Sequence, residues 1–148
     1  MLNLTRKAAQ ALKINFQQLE ERNEDCWKVD LFRAGRRNYW LIAHERTLHT
    51  LVRPRTELRG IEAIADEIVR CFPWYRPFAG ANTIGRNSDK RLTGTFTEMK
   101  RAATFYQFPD QRLHLEQALN ENLYTYLAVG SETYGTPHEA LARYLQSR

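Results

Sequence analysis

Trp27, Val29 and Leu31 alternate with Lys28 and Asp30, and this constrains the fold more than any other stretch of the chain. A period of two belongs to a half-buried strand. Ala34-Gly35 follows as a turn, because glycine accepts the positive φ that tight hairpins require. Asn38 to Ala43 is almost wholly apolar, as a central strand is, and Thr47 to Val52 resumes a looser alternation. Pro54 ends it, since proline cannot donate to a ladder. The stretch predicts a three-strand antiparallel meander. Trp27, Val29 and Leu31 form the face that meets helices, with Lys28 and Asp30 on the other.

Helices flank this meander. Met1 to Leu4 is short enough for an N-terminal strand, and Thr5 opens a helix to Leu12 rich in Ala and Leu, which lose little side-chain entropy there. Lys13 to Asp25 reads as a connector. Ile61, Ile64, Ala65, Ile68, Cys71 and Phe72 make one apolar stripe, and Pro73 stops it. Pro73 to Leu92 has no clear period; it holds either a short strand near Thr83-Ile84 or a functional loop. Thr95 to Glu98 has the capping-box pattern and predicts a helix start. Another helix follows Pro109, and Asn120 near its end suits a left-handed C-terminal cap. Thr136, Pro137 and Glu139 specify the start of the last helix. The expected fold is α+β: a small antiparallel sheet, the meander plus the N-terminal strand, packed by four to five helices in one domain over 1–148.

A chain of 148 residues with 43% hydrophobic and 26% charged residues can bury a core without a metal or disulfide. No apolar run reaches the ~20 residues that span a bilayer, and no cleavable apolar segment opens the chain, so a cytoplasmic protein with no membrane partner is expected. Cys26 and Cys71 lie too far apart for a CxxC pair and are read as free thiols. His44, His49, His114 and His138 make no metal-ligand spacing, so no metal or cofactor is expected. Gly80 to Asn87, GANTIGRN, has the glycine spacing of a phosphate loop, but Arg86 and Asn87 stand where that loop needs Lys and Ser or Thr.

The net charge of +5 permits a polyanionic partner. Its distribution says more: Arg33, Arg36, Arg37, Arg53 and Arg55 crowd the meander, and Arg86 belongs to a later basic series. Trp74, Tyr75 and Arg76 interleave rings with a cation, which suits stacked bases and tracked phosphates, or a protein interface. These nine residues are the candidate contacts of a non-enzymatic binding module for nucleic acid or an acidic protein partner. Arg33, Arg36 and Arg37 are expected to gather at the hairpin tip. The alternative is a metal-independent, toxin-like ribonuclease drawing on Arg36, Arg37, Tyr39, His44 and His49 as cations and general base.

MLNLTRKAAQAL at the start, WKVDLFRAGRRNYWLIAHERTLHTLV in the middle, RLTGTFTEMK later and TPHEALARYL at the end occur in that order. Together they resemble a family of small bacterial proteins known as a domain of unknown function. Arg91 to Glu98 is similar to a family stretch reading Arg, two residues, Gly, Ser, an apolar residue, then Asn-Asp, with Thr97-Glu98 in the place of the last pair. The resemblance implies a bacterial, cytosolic, single-domain protein. It implies no activity, cofactor or site.

Overall fold

The computed structural model describes residues 2–21, 26–75, 84–87, 89–104, 112–128 and 135–147. The meander forms as expected. β2 (Trp27–Ala34) and β3 (Arg37–His44) pair antiparallel from Trp27↔His44 to Ala34↔Arg37, and β4 (Thr50–Pro54) pairs antiparallel with β3. Gly35 and Arg36 make the two-residue turn. Gly35 has φ 61° and Arg36 does not share the positive sign, which is the pattern of a type II′ hairpin.

The sheet is mixed, not antiparallel. β1 (Leu2–Leu4) runs parallel to β2, and β5 (Ile84–Gly85) parallel to β1, giving the order β4-β3-β2-β1-β5. The reason is the connection: α1 (Arg6–Ala11) lies between β1 and β2, and a helical crossover returns the chain in the same direction. Thr5 starts α1 as expected, its hydroxyl accepting the Ala8 N–H at 3.2 Å and donating to Asp30 Oδ1 at 2.7 Å. The connector contains one 3-10 turn, Phe16–Gln18. β5 is the short strand foreseen near Ile84; residues 76–83 and 88 of that loop, including Gly80 to Thr83, lie outside the described residues.

Helices cover both faces of the sheet, which corrects the expectation of one packed and one wet face. On one side α1 and α2 (Ile61–Cys71) bury Leu4, Ala8, Trp27, Val29, Trp40, Ile42, Ile64 and Ile68. On the other, α3 (Lys90–Thr104) and α4 (Arg112–Glu121) bury Phe32, Tyr39, Leu41, Val52, Phe96, Met99 and Leu115. Lys28 and Asp30 therefore sit beneath α3 rather than in water, at 4% and 2% exposure. Lys100 Nζ lies 2.8 Å from Asp30 Oδ2, and Lys28 Nζ donates to Thr93 Oγ1 at 3.3 Å and lies over the Phe96 ring.

Three further local expectations change. α3 begins at Lys90, not at Thr95. Asp89 caps it, Oδ1 accepting from the Arg91 and Leu92 N–H groups, and the Thr95 hydroxyl instead donates back to the Arg91 carbonyl. β4 begins at Thr50 rather than Thr47, because Leu48 is buried in a left-handed turn, φ 58°, with its N–H on the His44 carbonyl. Asn120 is no cap. It is buried, its Oδ1 accepts the Thr50 N–H at 2.8 Å, and its Nδ2 donates to the Thr50 carbonyl at 3.2 Å. Glu116, one turn earlier, accepts the Val52 N–H. α4 thus supplies to the open edge of β4 the hydrogen bonds another strand would supply.

α5 (Pro137–Gln146) starts as predicted, Thr136 accepting the Glu139 N–H with Pro137 in the first turn. No helix among the described residues is long and apolar enough to cross a membrane.

Candidate functional site

The hairpin end of the sheet carries a groove of about 890 Å³. Five cations line it: Lys13, Arg36, Arg37, Arg55 and Arg59. All five are exposed, no carboxylate lines the groove, and none of the five is in an ion pair among the described residues.

Each arrives by a local backbone device. The Gly35 turn delivers Arg36 and Arg37. Arg36 belongs to the turn and not to a strand, so the alternation that would send neighbours to opposite faces does not apply, and both reach the groove. The Arg55 N–H donates to the Asn38 carbonyl at 2.9 Å, which carries the β3–β4 pairing one step beyond Pro54. The Arg55 guanidinium then donates to the Ala11 carbonyl at the end of α1, 3.2 Å away. Lys13 follows α1 in the left-handed conformation, φ 58°, with its N–H on the Gln10 carbonyl and the Ile14 N–H on the Ala9 carbonyl. That is a Schellman motif with lysine where glycine is usual. Arg59 is held by a bond from Nε to the Thr56 carbonyl. Trp40 underlies the groove, itself buried, its indole N–H on the Leu58 carbonyl at 2.9 Å. Neighbouring cations without counter-charges make a concave positive potential that an anion relieves.

Of the nine residues singled out in the sequence, three meet here: Arg36, Arg37 and Arg55. Arg33 stays at the hairpin but bends over the turn, Nε on the Gly35 carbonyl. Arg53, only two residues from Arg55, is a structural ion. Its side chain is 12% exposed and bridges Glu67 of α2 and Glu116 of α4 across the sheet edge. Arg86 is 3.7 Å from Glu21 and lies over the Phe16 ring. Trp74 and Tyr75 belong to a ring cluster at the far end of the sheet, where Trp27, His44, Phe72 and Tyr144 surround them, and Tyr75 is fully buried. Arg76 lies outside the described residues. Lys13 and Arg59 were not among the nine. Lys13 is an isolated cation in a polar connector, and nothing in the local sequence says that the end of α1 meets the hairpin.

The histidines are not with the arginines. His44 ends β3, and eight strand residues put it roughly 23 Å from Arg37. It is buried, with Nδ1 3.0 Å from Thr47 Oγ1. His49 packs edge-on against Phe72 and beside His138; burial, then the neighbouring histidines His138 and His44, push its pKa down to about 4. Glu45, beside them, is buried and moves the other way. Burial raises its carboxyl to about 7, against partial relief from hydrogen bonds with Asn3 and Asn87. Both groups are uncharged more often than their usual values allow. Among the described residues no group of three or more His, Cys, Asp or Glu is placed to hold a metal ion.

No curated protein matches the chain. Residues 1–72, from β1 through α2, match the family model of a domain of unknown function, DUF6933; the matched stretch is just under half of the chain, contains all five groove cations, and the model is of an uncharacterised family of the kind the sequence resembles.

Proposed function

We propose that this protein is a non-enzymatic binding module whose hairpin-end groove takes the phosphate backbone of a nucleic acid. The observation that carries the reading is the convergence of five exposed, unpaired cations from three separate chain segments on one concavity that no carboxylate lines. Phosphate contacts position a strand without reading its sequence, and guanidinium groups suit phosphate because they donate two parallel hydrogen bonds. The groove lacks an exposed aromatic platform, since Trp40 is 1% exposed, so the binding is of backbone rather than of stacked bases.

Fluorescence anisotropy with labelled RNA and DNA oligonucleotides, single-stranded and duplex, tests this between 50 and 200 mM salt. Five neutralised phosphates on a single strand give a slope of log K against log salt of about −3.5. The triple variant Arg36→Gln, Arg37→Gln, Arg55→Gln should bind more weakly and flatten that slope. Binding that ignores both salt and the triple variant, or no binding to any nucleic acid, overturns the reading. The ribonuclease alternative draws on histidines that lie at the other end of β3. Cleavage of total RNA that is lost in His49→Ala would favour it instead.

A further inference from the structure

A second concavity, about 690 Å³, lies at the opposite end of β3 from the groove. Three guanidinium groups reach it from three different elements: Arg46 from the β3–β4 turn, Arg91 from the start of α3, and Arg143 from α5. All three are exposed, and none is in an ion pair among the described residues. Arg91 is oriented, with Nη2 on the Thr125 carbonyl at 3.4 Å and its guanidinium 6.0 Å from the centre of the Tyr126 ring. Tyr126 and Tyr144 supply two aromatic walls.

One carboxylate lines the cleft, Asp89, and its hydrogen-bonding is directed at the helix start and at Tyr126. Oδ1 accepts the Arg91 and Leu92 N–H groups at 2.9 and 3.3 Å, and the Tyr126 phenol shares a hydrogen bond with the same carboxylate. Asp89 therefore holds the start of α3 and fixes Tyr126, makes no ion pair with the three arginines, and leaves the cleft with three cations to one anion.

We propose that this cleft binds a phosphorylated small molecule, with its phosphate among Arg46, Arg91 and Arg143 and its remaining body against Tyr126 and Tyr144. Three converging guanidiniums suit the three oxygens of a terminal phosphate, each able to receive a paired donor. The volume is that of a small-molecule site, and the mix of apolar walls with a few placed polar groups is the usual make-up of one. A nucleic-acid strand suits it less well, because three cations and one carboxylate line it, against five cations and no carboxylate in the groove. The cleft is separate from the hairpin-end groove and does not rest on the function proposed for it.

Isothermal titration of the full chain with inorganic pyrophosphate, ADP and adenosine tests the site. Pyrophosphate and ADP should bind, ADP more tightly, and adenosine should bind at least ten-fold more weakly than ADP. Arg46→Gln and Arg143→Gln should each weaken pyrophosphate about ten-fold or more, the range of one lost charge-assisted hydrogen bond. Both side chains are exposed, so thermal melts of the two variants should match the wild type. Arg101→Gln, an exposed cation of α3 that lines neither concavity, should leave pyrophosphate affinity unchanged. Adenosine binding as well as ADP, pyrophosphate affinity unmoved by Arg46→Gln and Arg143→Gln, equal weakening by Arg101→Gln, or no binding of either phosphate ligand would each overturn the proposal.

Discussion

Arg53 and Arg55 stand two residues apart at the end of one strand and have opposite roles. Arg53 is enclosed between α2 and α4 and neutralised by Glu67 and Glu116. Arg55 is exposed in a groove with four other cations and no acid. The two ends of β3 repeat the contrast on a larger scale. At the Arg37 end, charge is kept in water and left unpaired. At the His44 end, Glu45 and His49 are drawn towards the interior, where burial favours their uncharged forms, while Arg46 beside them stays exposed. The lesson is that a cation's role here depends on what the neighbouring helices bring to it, not on its place in an arginine-rich run.

The largest effect should come from unpairing the enclosed ion. Arg53→Leu leaves the Glu116 carboxylate at the sheet edge without its guanidinium, while Glu67 keeps Arg70. It should lower the free energy of unfolding by about 3–5 kcal/mol, measured by urea titration, because a partly buried charge loses its partner. Arg55→Leu should change it by less than about 0.5 kcal/mol. Similar losses for the two variants would erase the distinction between them.

Next in size is the pH behaviour of the His44 end. Glu45 has its pKa raised from 4.5 to about 7, so the folded state holds the proton more tightly than the unfolded chain. Its contribution is complete below pH 4.5 and is lost as pH rises to 7. His49 is lowered from 6.5 to about 4, so its contribution is complete above pH 6.5 and is lost as pH falls to 4. Each change is worth about 3 kcal/mol at 1.36 kcal/mol per pH unit, and the two slopes oppose each other between about pH 4.5 and 6.5. Glu45→Gln removes one slope. The variant should be more stable than the wild type at pH 8 by up to about 3 kcal/mol, and should destabilise steadily as pH falls from 6.5 to 4. A wild-type advantage at pH 8 would show that the Glu45 carboxylate is stabilised by its surroundings.

Asn120→Leu sharpens the contrast between covered and open edges. It removes both bonds to Thr50 and leaves a buried N–H and C=O without partners, at a cost of about 2 kcal/mol. Hydrogen exchange at the Thr50 amide should accelerate with it. A loss no larger than that of an exposed substitution would mean that water replaces the amide at this edge.

The smallest effect has two signs. Lys13→Gly relieves a non-glycine residue in the left-handed conformation and should stabilise the chain by about 1 kcal/mol. The same change removes a groove cation and should weaken oligonucleotide binding and reduce its salt dependence. Gained stability with unchanged binding would take Lys13 out of the groove's function.

Much of the fold was legible in local sequence. The alternation from Trp27, the Gly35 turn, the apolar β3, the stripe of α2 and the Thr136-Pro137-Glu139 start of α5 each follow from a period or a cap that short segments carry alone. The α+β class and the gathering of Arg36 and Arg37 at the hairpin came with them. What tertiary structure decided was everything that depends on a second element. The parallel direction of β1 comes from the α1 crossover. The burial of Lys28 and Asp30 comes from α3 lying over a face that alternation alone marks as polar. Asn120 and Glu116 look like surface residues of a helix until β4 presents its open edge to them. The groove joins Lys13 to Arg59 across the folded chain, and Arg46 meets Arg91 and Arg143 from positions far apart in sequence. The physical reason is that periodicity reports which side of an element faces away from water on average. Charge pairing, edge coverage and convergence are set by distances between elements, and those exist only once the sheet is covered on both faces.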